Sequence, residues 1–175
     1  WTEKVMLKAS NVSGTDKFGI SVSISGSYAI VGAYKEDSNG SNQTGAADSG
    51  AAYVFERTVD GSWNEVSMLK ASNAGEGSSE QFGKSVSISD SYAIVGAENE
   101  GSGTTDRGAA YIFERDVDGS WNEVEKVKSS NAQGTYEYFG CTVSISGNYA
   151  IAGAYGEDTS ISGSGAAYII ESGIL

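Results

Sequence analysis

A threefold internal repeat constrains this chain more than any other feature. The stretch FGISVSISGSYAIVGAYKED at residues 18–37 returns as FGKSVSISDSYAIVGAENE from residue 82 and as FGCTVSISGNYAIAGAYGED from residue 139. Successive copies begin about 60 residues apart. A period of that length predicts supersecondary units that bury their faces against one another, and not three independent domains.

Each copy contains the patterns of four β-strands. The first, FGISVSIS, alternates apolar residues with serine or glycine, as a pleated strand does. The second, YAIVGA, is almost continuously apolar and predicts a strand covered on both faces. The third is GAAYVFER and the fourth is SWNEVSMLKAS, and turn residues such as Gly26-Ser27 and Asp60-Gly61 connect the strands.

We therefore predict an all-β fold of β-propeller-type blades, built from three four-stranded antiparallel repeats. Residues 1–175 form a single array in this prediction. A right-handed solenoid is the alternative architecture, but solenoid coils are usually shorter than these repeats. The predicted blades cover residues 18–70, 82–128 and 139–171.

The two ends of the chain are complementary. The third blade lacks an outer strand, whereas residues 1–10, WTEKVMLKAS, match the outer strand of the first blade. The N-terminal strand can complete the third blade within one chain, although closed propellers typically have about four to eight blades. It can also complete the third blade of another chain, which gives a two-chain ring or a head-to-tail filament. A third possibility is that the chain is part of a longer propeller.

Composition narrows the possible partners. The net charge of −12 opposes binding to nucleic acid or to anionic lipid. No apolar run reaches the roughly 18 residues of a membrane helix, so we expect no membrane insertion. Histidine is absent and Cys141 is the only cysteine, which removes the usual general base and any disulfide framework. We predict that the chain is not an enzyme and uses no cofactor, and that Cys141 is a small buried apolar residue.

Each copy carries a Phe-Gly pair near its start, at residues 18, 82 and 139, and a Gly-Ala pair after the second strand pattern, at residues 32, 96 and 153. With these two elements the repeats resemble FG-GAP repeats, the blades of integrin-alpha-like propellers and of many bacterial and protist surface proteins. The resemblance implies an extracellular or cell-surface location and a non-catalytic role in adhesion or assembly. We expect the motif glycines to permit close backbone approach, and the phenylalanines to fill the gap between blades. The FG element is Phe18-Gly19, Phe82-Gly83 and Phe139-Gly140, and the GAP element, without its proline, begins at Gly32, Gly96 and Gly153.

The calcium loop of some members of that family does not carry over to this chain. The loop lies between the first and second strands, where this sequence has only SGSY, SDSY and SGNY, with Asp90 as one possible ligand. The stretch DSNGSNQTGAAD at 37–48 also fails as a calcium loop, because its sixth position is Asn42 and its twelfth is Asp48.

Acidic residues cluster after the predicted second strands. The candidate metal ligands are Glu36, Asp37, Glu157 and Asp158. In a propeller these loops share one face with the connections that hold Asp16, Glu80 and Glu137. Two interpretations are open: a solvated acidic rim that keeps the fold soluble, and a site for a cation or a basic partner.

Three asparagines match the N-glycosylation pattern: Asn11, Asn39 and Asn42. All three fall in predicted loops of the first copy, so attached sugar would lie on one side of the molecule.

The sequence as a whole predicts a non-catalytic extracellular structural or adhesive module. In this prediction the module self-assembles through its ends and presents surface loops, which suit a protein or glycan ligand. The alternative is a ligand- or cation-binding receptor that uses the acidic loop face. Glycoside hydrolysis has too little support, because nothing in the sequence fixes the carboxylate separation that this chemistry needs.

Overall fold

Strands make up all the regular structure in the part of the chain that the structure describes. In this computed structural model no helix long and apolar enough to cross a membrane occurs among those residues. The described residues are 1–11, 14–37, 48–74, 79–102, 105–131, 136–158 and 163–173.

Three antiparallel sheets correspond to the three repeats. The first blade contains β1 (Val22–Ser25), β2 (Tyr28–Ala33), β3 (Ala51–Arg57) and β4 (Trp63–Leu69). The second contains β5 (Ser85–Ser89), β6 (Tyr92–Ala97), β9 (Ala109–Arg115) and β10 (Trp121–Val127), with a small ribbon of β7 (Gly101–Ser102) and β8 (Thr105–Asp106). The third contains β11 (Val143–Ser146), β12 (Tyr149–Ala154) and β13 (Ala166–Glu171).

The sheets are arranged as propeller-type blades, which confirms the predicted fold class. Each sheet runs in sequence order from its first strand outward, and the first strands β1, β5 and β11 contact one another in turn. Blades 1 and 2 have four strands, whereas blade 3 has three and ends at β13. The open outer edge of blade 3 lies where the repeat pattern lacks a fourth strand.

The Phe-Gly pairs lie just before the first strands and not within them, which corrects the predicted strand start. Lys17 and Gly19 both have positive φ angles, of 60° and 93°, and form a turn that precedes β1. The alternation of apolar residues continues through this turn, so periodicity alone does not reveal where the extended backbone begins.

Residues 1–9 form no strand in the structure, which differs from the predicted outer strand. They also do not pair with β13, so completion of blade 3 within one chain is not the arrangement observed. The segment instead packs Leu7 and Ala9 against an apolar cluster on blade 1. Trp1 at its start is fully exposed.

The core consists of apolar layers between the blades. One cluster joins blade 1 to blade 2 and another joins blade 2 to blade 3. Phe82 is fully buried in the first of these and packs edge-on against Tyr111 and Phe113, with ring centroids 5.3 and 6.0 Å away. Phe139 occupies the same place in the second layer, beside Tyr168. Stability therefore depends on contacts between blades, as expected for a repeat architecture.

Candidate functional site

Two of the four candidate metal ligands are buried, and Asp37 and Asp158 are half-buried. Glu36 and Glu157 are almost inaccessible, and the interpretation of a solvated rim is wrong for both. The Tyr53 hydroxyl lies 2.7 Å from Glu36 Oε2, and Asn131 Nδ2 donates to Glu157 Oε1 at 2.8 Å. The other buried acidic residues of these loops are Asp16, Glu80, Glu100 and Glu137.

These carboxylates belong to a polar network that recurs in the blades. In blade 1, Tyr53 Oη lies 2.7 Å from Asn11 Oδ1 as well as from Glu36. In blade 2, Tyr111 Oη donates to Asn73 Oδ1 at 2.8 Å, and Asn73 Nδ2 donates to Glu100 at 3.3 Å. The asparagine always follows a segment with the outer-strand sequence of one blade, whereas the tyrosine and glutamate belong to the next blade. The network therefore links successive blades by hydrogen bonds.

The tyrosines of the network are not proton-transfer groups near neutral pH. Burial, reinforced by the carboxylate of Glu36, raises the pKa of Tyr53 far above its ordinary value. Burial and the charge of Glu100 do the same to the pKa of Tyr111. Both phenols therefore stay protonated, which suits a structural hydrogen-bond donor and not a catalytic nucleophile.

The charge of Glu100 is balanced within the chain. Its carboxylate oxygens lie 2.6 Å from Lys126 Nζ and 2.8 Å from Lys128 Nζ. Burial raises the pKa of Glu100, but the hydrogen bonds from the two lysines outweigh it and hold that pKa below its usual range. Because two cations already neutralise it, this carboxylate is poorly placed to attract a metal.

The candidate metal ligands are not brought together. Asp37 accepts a hydrogen bond from the backbone of Asp48 at 2.6 Å, and Asp158 accepts one from the backbone of Gly163. Among the described residues no group of three acidic, cysteine or histidine side chains is placed to hold a metal ion.

One of the three glycosylation candidates lies among the described residues. Asn11 is half-buried, with Oδ1 beside Tyr53 and Nδ2 3.8 Å from Met68 Sδ. A glycan on Nδ2 requires the contact with Met68 to open. Asn39 and Asn42 lie outside the described residues.

Cys141 is half-buried and lies before β11, beside the carbonyl of Gly153. Burial raises the pKa of its thiol, so the reactive thiolate is disfavoured.

The motif glycines allow the backbones of neighbouring blades to come very close together. A Cβ atom on Gly32 would lie 2.0 Å from the carbonyl oxygen of Gly83, and one on Gly96 would lie 1.9 Å from that of Gly140. Serines on the first strands secure the contact, since Ser85 Oγ donates to Gly140 O at 2.7 Å. The turn that opens each blade thus lies directly against the second strand of the preceding blade.

The chain presents both halves of this interface at its ends. We define the leading face of blade 1 as Ile20, Val22 and Ile24, and the trailing face of blade 3 as Tyr149, Ile151 and Ile169. Both faces are exposed. Their repeat counterparts at the internal junctions are buried or half-buried. The exposed fraction is 67% for Ile24 against 4% for Ile88, and 68% for Ile169 against 0% for Val54.

The motif glycines at the two ends of the array keep the backbone conformation that they have in the buried junctions, although no neighbouring blade lies against them. Gly19 has a φ angle of 93°, close to 89° at Gly83 and 83° at Gly140, yet nothing lies within 4 Å of its Cβ position. At the other end, the atom nearest to the Cβ position of Gly153 is Thr142 Cγ2 of the same blade. The two ends are therefore preformed halves of one kind of contact.

Sequence reasoning identified the glycines but missed the asparagine–tyrosine–glutamate network. The signal was present, because Asn11, Asn73 and Asn131 occupy one repeat column, as do Tyr53 and Tyr111. Polar residues that recur in one column of a repeat indicate a contact that every blade makes.

Comparison with known proteins agrees with this repeat structure. The model of the FG-GAP repeat family matches residues 1–55, 63–113 and 121–170. Each matched unit begins at a tryptophan and runs from an outer-strand sequence through the next three strands. The curated proteins give no match.

Proposed function

Because the chain belongs to the FG-GAP repeat family, we propose that it is a non-catalytic, extracellular structural or adhesive module. In this proposal the chain assembles with further copies end to end, and the resulting array presents its loops to ligands. FG-GAP repeats form propeller-type modules that are often extracellular and generally non-enzymatic, which supports this assignment.

The observation that carries the proposal is the match between the two end faces and the junctions inside the chain. The blade-to-blade contact occurs twice in one molecule, with the same glycine approach and the same serine hydrogen bond. A third junction of this kind needs only the trailing face of one copy and the leading face of another. Such head-to-tail contacts generate a ring if the rotation closes and a filament if it does not.

The side chains beside the glycines are also compatible with a third junction. Between blades 1 and 2, the Lys84 ammonium lies 4.6 Å from the ring centre of Tyr34. In an end-to-end junction the counterparts of these residues are Ile20 and Tyr155, both exposed in the free chain. An aliphatic side chain on an aromatic ring replaces the cation–π contact without leaving a charge unpaired.

Sedimentation equilibrium over a wide concentration range tests the proposal. We expect the mass to rise above the 18.1 kDa of one chain as concentration increases. The substitutions Ile169→Lys and Ile24→Lys, at opposite ends, should each return the mass toward that of one chain. Val117→Lys is the matched control, because Val117 is fully exposed but lies outside both faces.

Two results would contradict the proposal. A wild-type chain that stays at 18.1 kDa at every concentration would rule out self-assembly. Assembly that survives both lysine substitutions would place the interface elsewhere.

The receptor alternative has less support from the geometry. Glu36 and Glu157 are buried and bonded within the chain, so a cation would have to displace existing partners. The test is a titration with millimolar calcium: an unchanged melting temperature argues against the receptor, and a rise of several degrees favours it. A protein or glycan ligand of the loops stays a prediction.

A further inference from the structure

A small apolar cleft lies between blades 2 and 3 at their outer ends. It has a volume of about 190 Å³, and its walls include Tyr92, Ile112, Ile145 and Ile170. Pockets that bind small organic ligands usually measure roughly 300–1,000 Å³. The size and the apolar walls of the cleft suit a single large side chain better than a free ligand.

The equivalent place between blades 1 and 2 is filled by Trp121. This side chain is buried and meets the ring of Tyr28 edge-on, with centroids 6.1 Å apart. It belongs to the apolar cluster that also contains Val54, Ile88 and Phe113. Tyr28 and those three residues are the repeat counterparts of the cleft walls Tyr92, Ile112, Ile145 and Ile170.

Trp121 belongs to β10, the outer strand of blade 2, so the cleft lies where blade 3 lacks the tryptophan of an outer strand. Residues 1–10 carry the matching sequence, with Trp1, Glu3 and Leu7 aligned to Trp63, Glu65 and Leu69 of β4. This segment is available, because Trp1 and most residues up to Lys8 are exposed.

The attachment of the N-terminal segment shows which position it occupies. Ser10 donates to the Glu65 carboxylate through its backbone nitrogen and its hydroxyl, both at 2.8 Å. Ser72, which follows β4, makes the same pair of bonds to Glu123 at 2.8 and 2.7 Å. The N-terminal segment therefore packs on blade 1 in the same way as the end of β4 packs on blade 2. It occupies the position of the outer strand of a blade that would precede blade 1.

We infer that residues 1–9 of a second copy add to β13 as the fourth strand of blade 3, with Trp1 of that copy in the cleft. The inference rests on the proposed end-to-end assembly. It specifies which segment docks and which cleft receives the tryptophan of that segment. β13 is an edge strand, and its unpaired backbone groups form the ladder with an added strand. One docking event joins the leading face to the trailing face and places the N-terminal segment beside β13.

Disulfide cross-linking tests this strand addition. The ladder pairs Val54 with Ser67 in blade 1 and Ile112 with Glu125 in blade 2. By the same register, Val5 of one copy lies opposite Ile169 of another. Two populations are prepared in a Cys141→Ser background, one carrying Val5→Cys and the other Ile169→Cys, and are mixed under mild oxidation.

We expect a covalent dimer that contains one chain of each population. The matched control replaces the second population by Val117→Cys, whose exposed hairpin position is outside the junction. That mixture should give only the background level of cross-linking.

The substitution Trp1→Ala tests the cleft itself. A tryptophan buried at the centre of an interface often contributes enough that its loss weakens binding roughly 30-fold or more. The melting temperature of the dilute chain should not change, because Trp1 makes no buried contact in the free molecule. Assembly should also shift the fluorescence of the wild type to shorter wavelength more than that of Trp1→Phe.

The outcomes separate the two proposals. Assembly without the Val5–Ile169 cross-link, or with an unaltered affinity for Trp1→Ala, overturns the strand addition and leaves end-to-end docking intact. A chain that stays monomeric overturns both. A cross-link together with the loss of affinity supports the inference.

Discussion

Alanine substitution at one repeat column separates internal junctions from the open end. Gly32, Gly96 and Gly153 hold equivalent positions on β2, β6 and β12, and none has a positive φ angle. An alanine there therefore introduces no backbone strain, and any destabilisation it causes is steric. At Gly96 the new methyl group would lie 1.9 Å from Gly140 O and 2.3 Å from Ser85 Oγ.

The structure sets the size of the effect at Gly96. Blade 3 must move away from blade 2 by about 1 Å before that contact becomes tolerable, because real Cβ contacts shorter than 3.0 Å essentially do not occur. Overpacking of this kind costs about 1–3 kcal/mol, and loss of the Ser85–Gly140 hydrogen bond costs about 1 kcal/mol more. For a chain of this length the sum corresponds to a fall of roughly 5–15 °C in melting temperature.

Thermal unfolding of dilute protein followed by circular dichroism checks this prediction. Gly32→Ala should resemble Gly96→Ala, because its methyl group would lie 2.0 Å from Gly83 O. Gly153→Ala should lower the melting temperature less, since its nearest atom is the Thr142 methyl at 2.7 Å, a side-chain group of the same blade and not the backbone of another blade. It should nevertheless weaken assembly through the trailing face. Equal losses at all three positions, or none at Gly96, would refute the reasoning.

Three further predictions concern side chains inside the blades. Tyr111→Phe should lower the free energy of unfolding by about 0.5–1.5 kcal/mol in chemical denaturation, because Oδ1 of the half-buried Asn73 loses the hydroxyl that donates to it; an unchanged midpoint would contradict this. The lowered pKa of Glu100 contributes stability that is present above the unfolded pKa of 4.5 and is lost as pH falls through the folded pKa. Glu100→Gln should therefore make the free energy of unfolding fall less steeply with decreasing pH in the acid range. Equal slopes for the wild type and the variant would count against this. Burial raises the pKa of Cys141, so iodoacetamide should alkylate the native chain at pH 8 much more slowly than the unfolded chain; equal rates would show that the thiol is accessible.

Local patterns were sufficient to predict most of the strands. The nearly continuous apolar run YAIVGA predicted the second strand of blade 1, and β2 covers Tyr28–Ala33. The Gly26-Ser27 turn is also present, since Ser25 pairs with Tyr28 across it. These features depend on residues close together in the chain, which is why the sequence reveals them.

Features that depend on residues far apart in the chain were not predictable from local pattern. Glu36 looks like a solvated loop residue until Tyr53 and Asn11 are placed around it. The Phe-Gly turn was also missed, because the alternation of apolar residues continues through it although Gly19 and Gly83 have positive φ angles. Residues 1–9 match a strand in sequence but form none, since a strand requires a partner to pair with.

Hydrogen exchange measured at low and high protein concentration tests most directly whether the two ends are halves of one interface. We predict that concentration protects β1 and β13 together, while the exposed hairpin that contains Val59 exchanges at the same rate in both samples. The account is contradicted if neither strand gains protection, or if one of them gains it without the other.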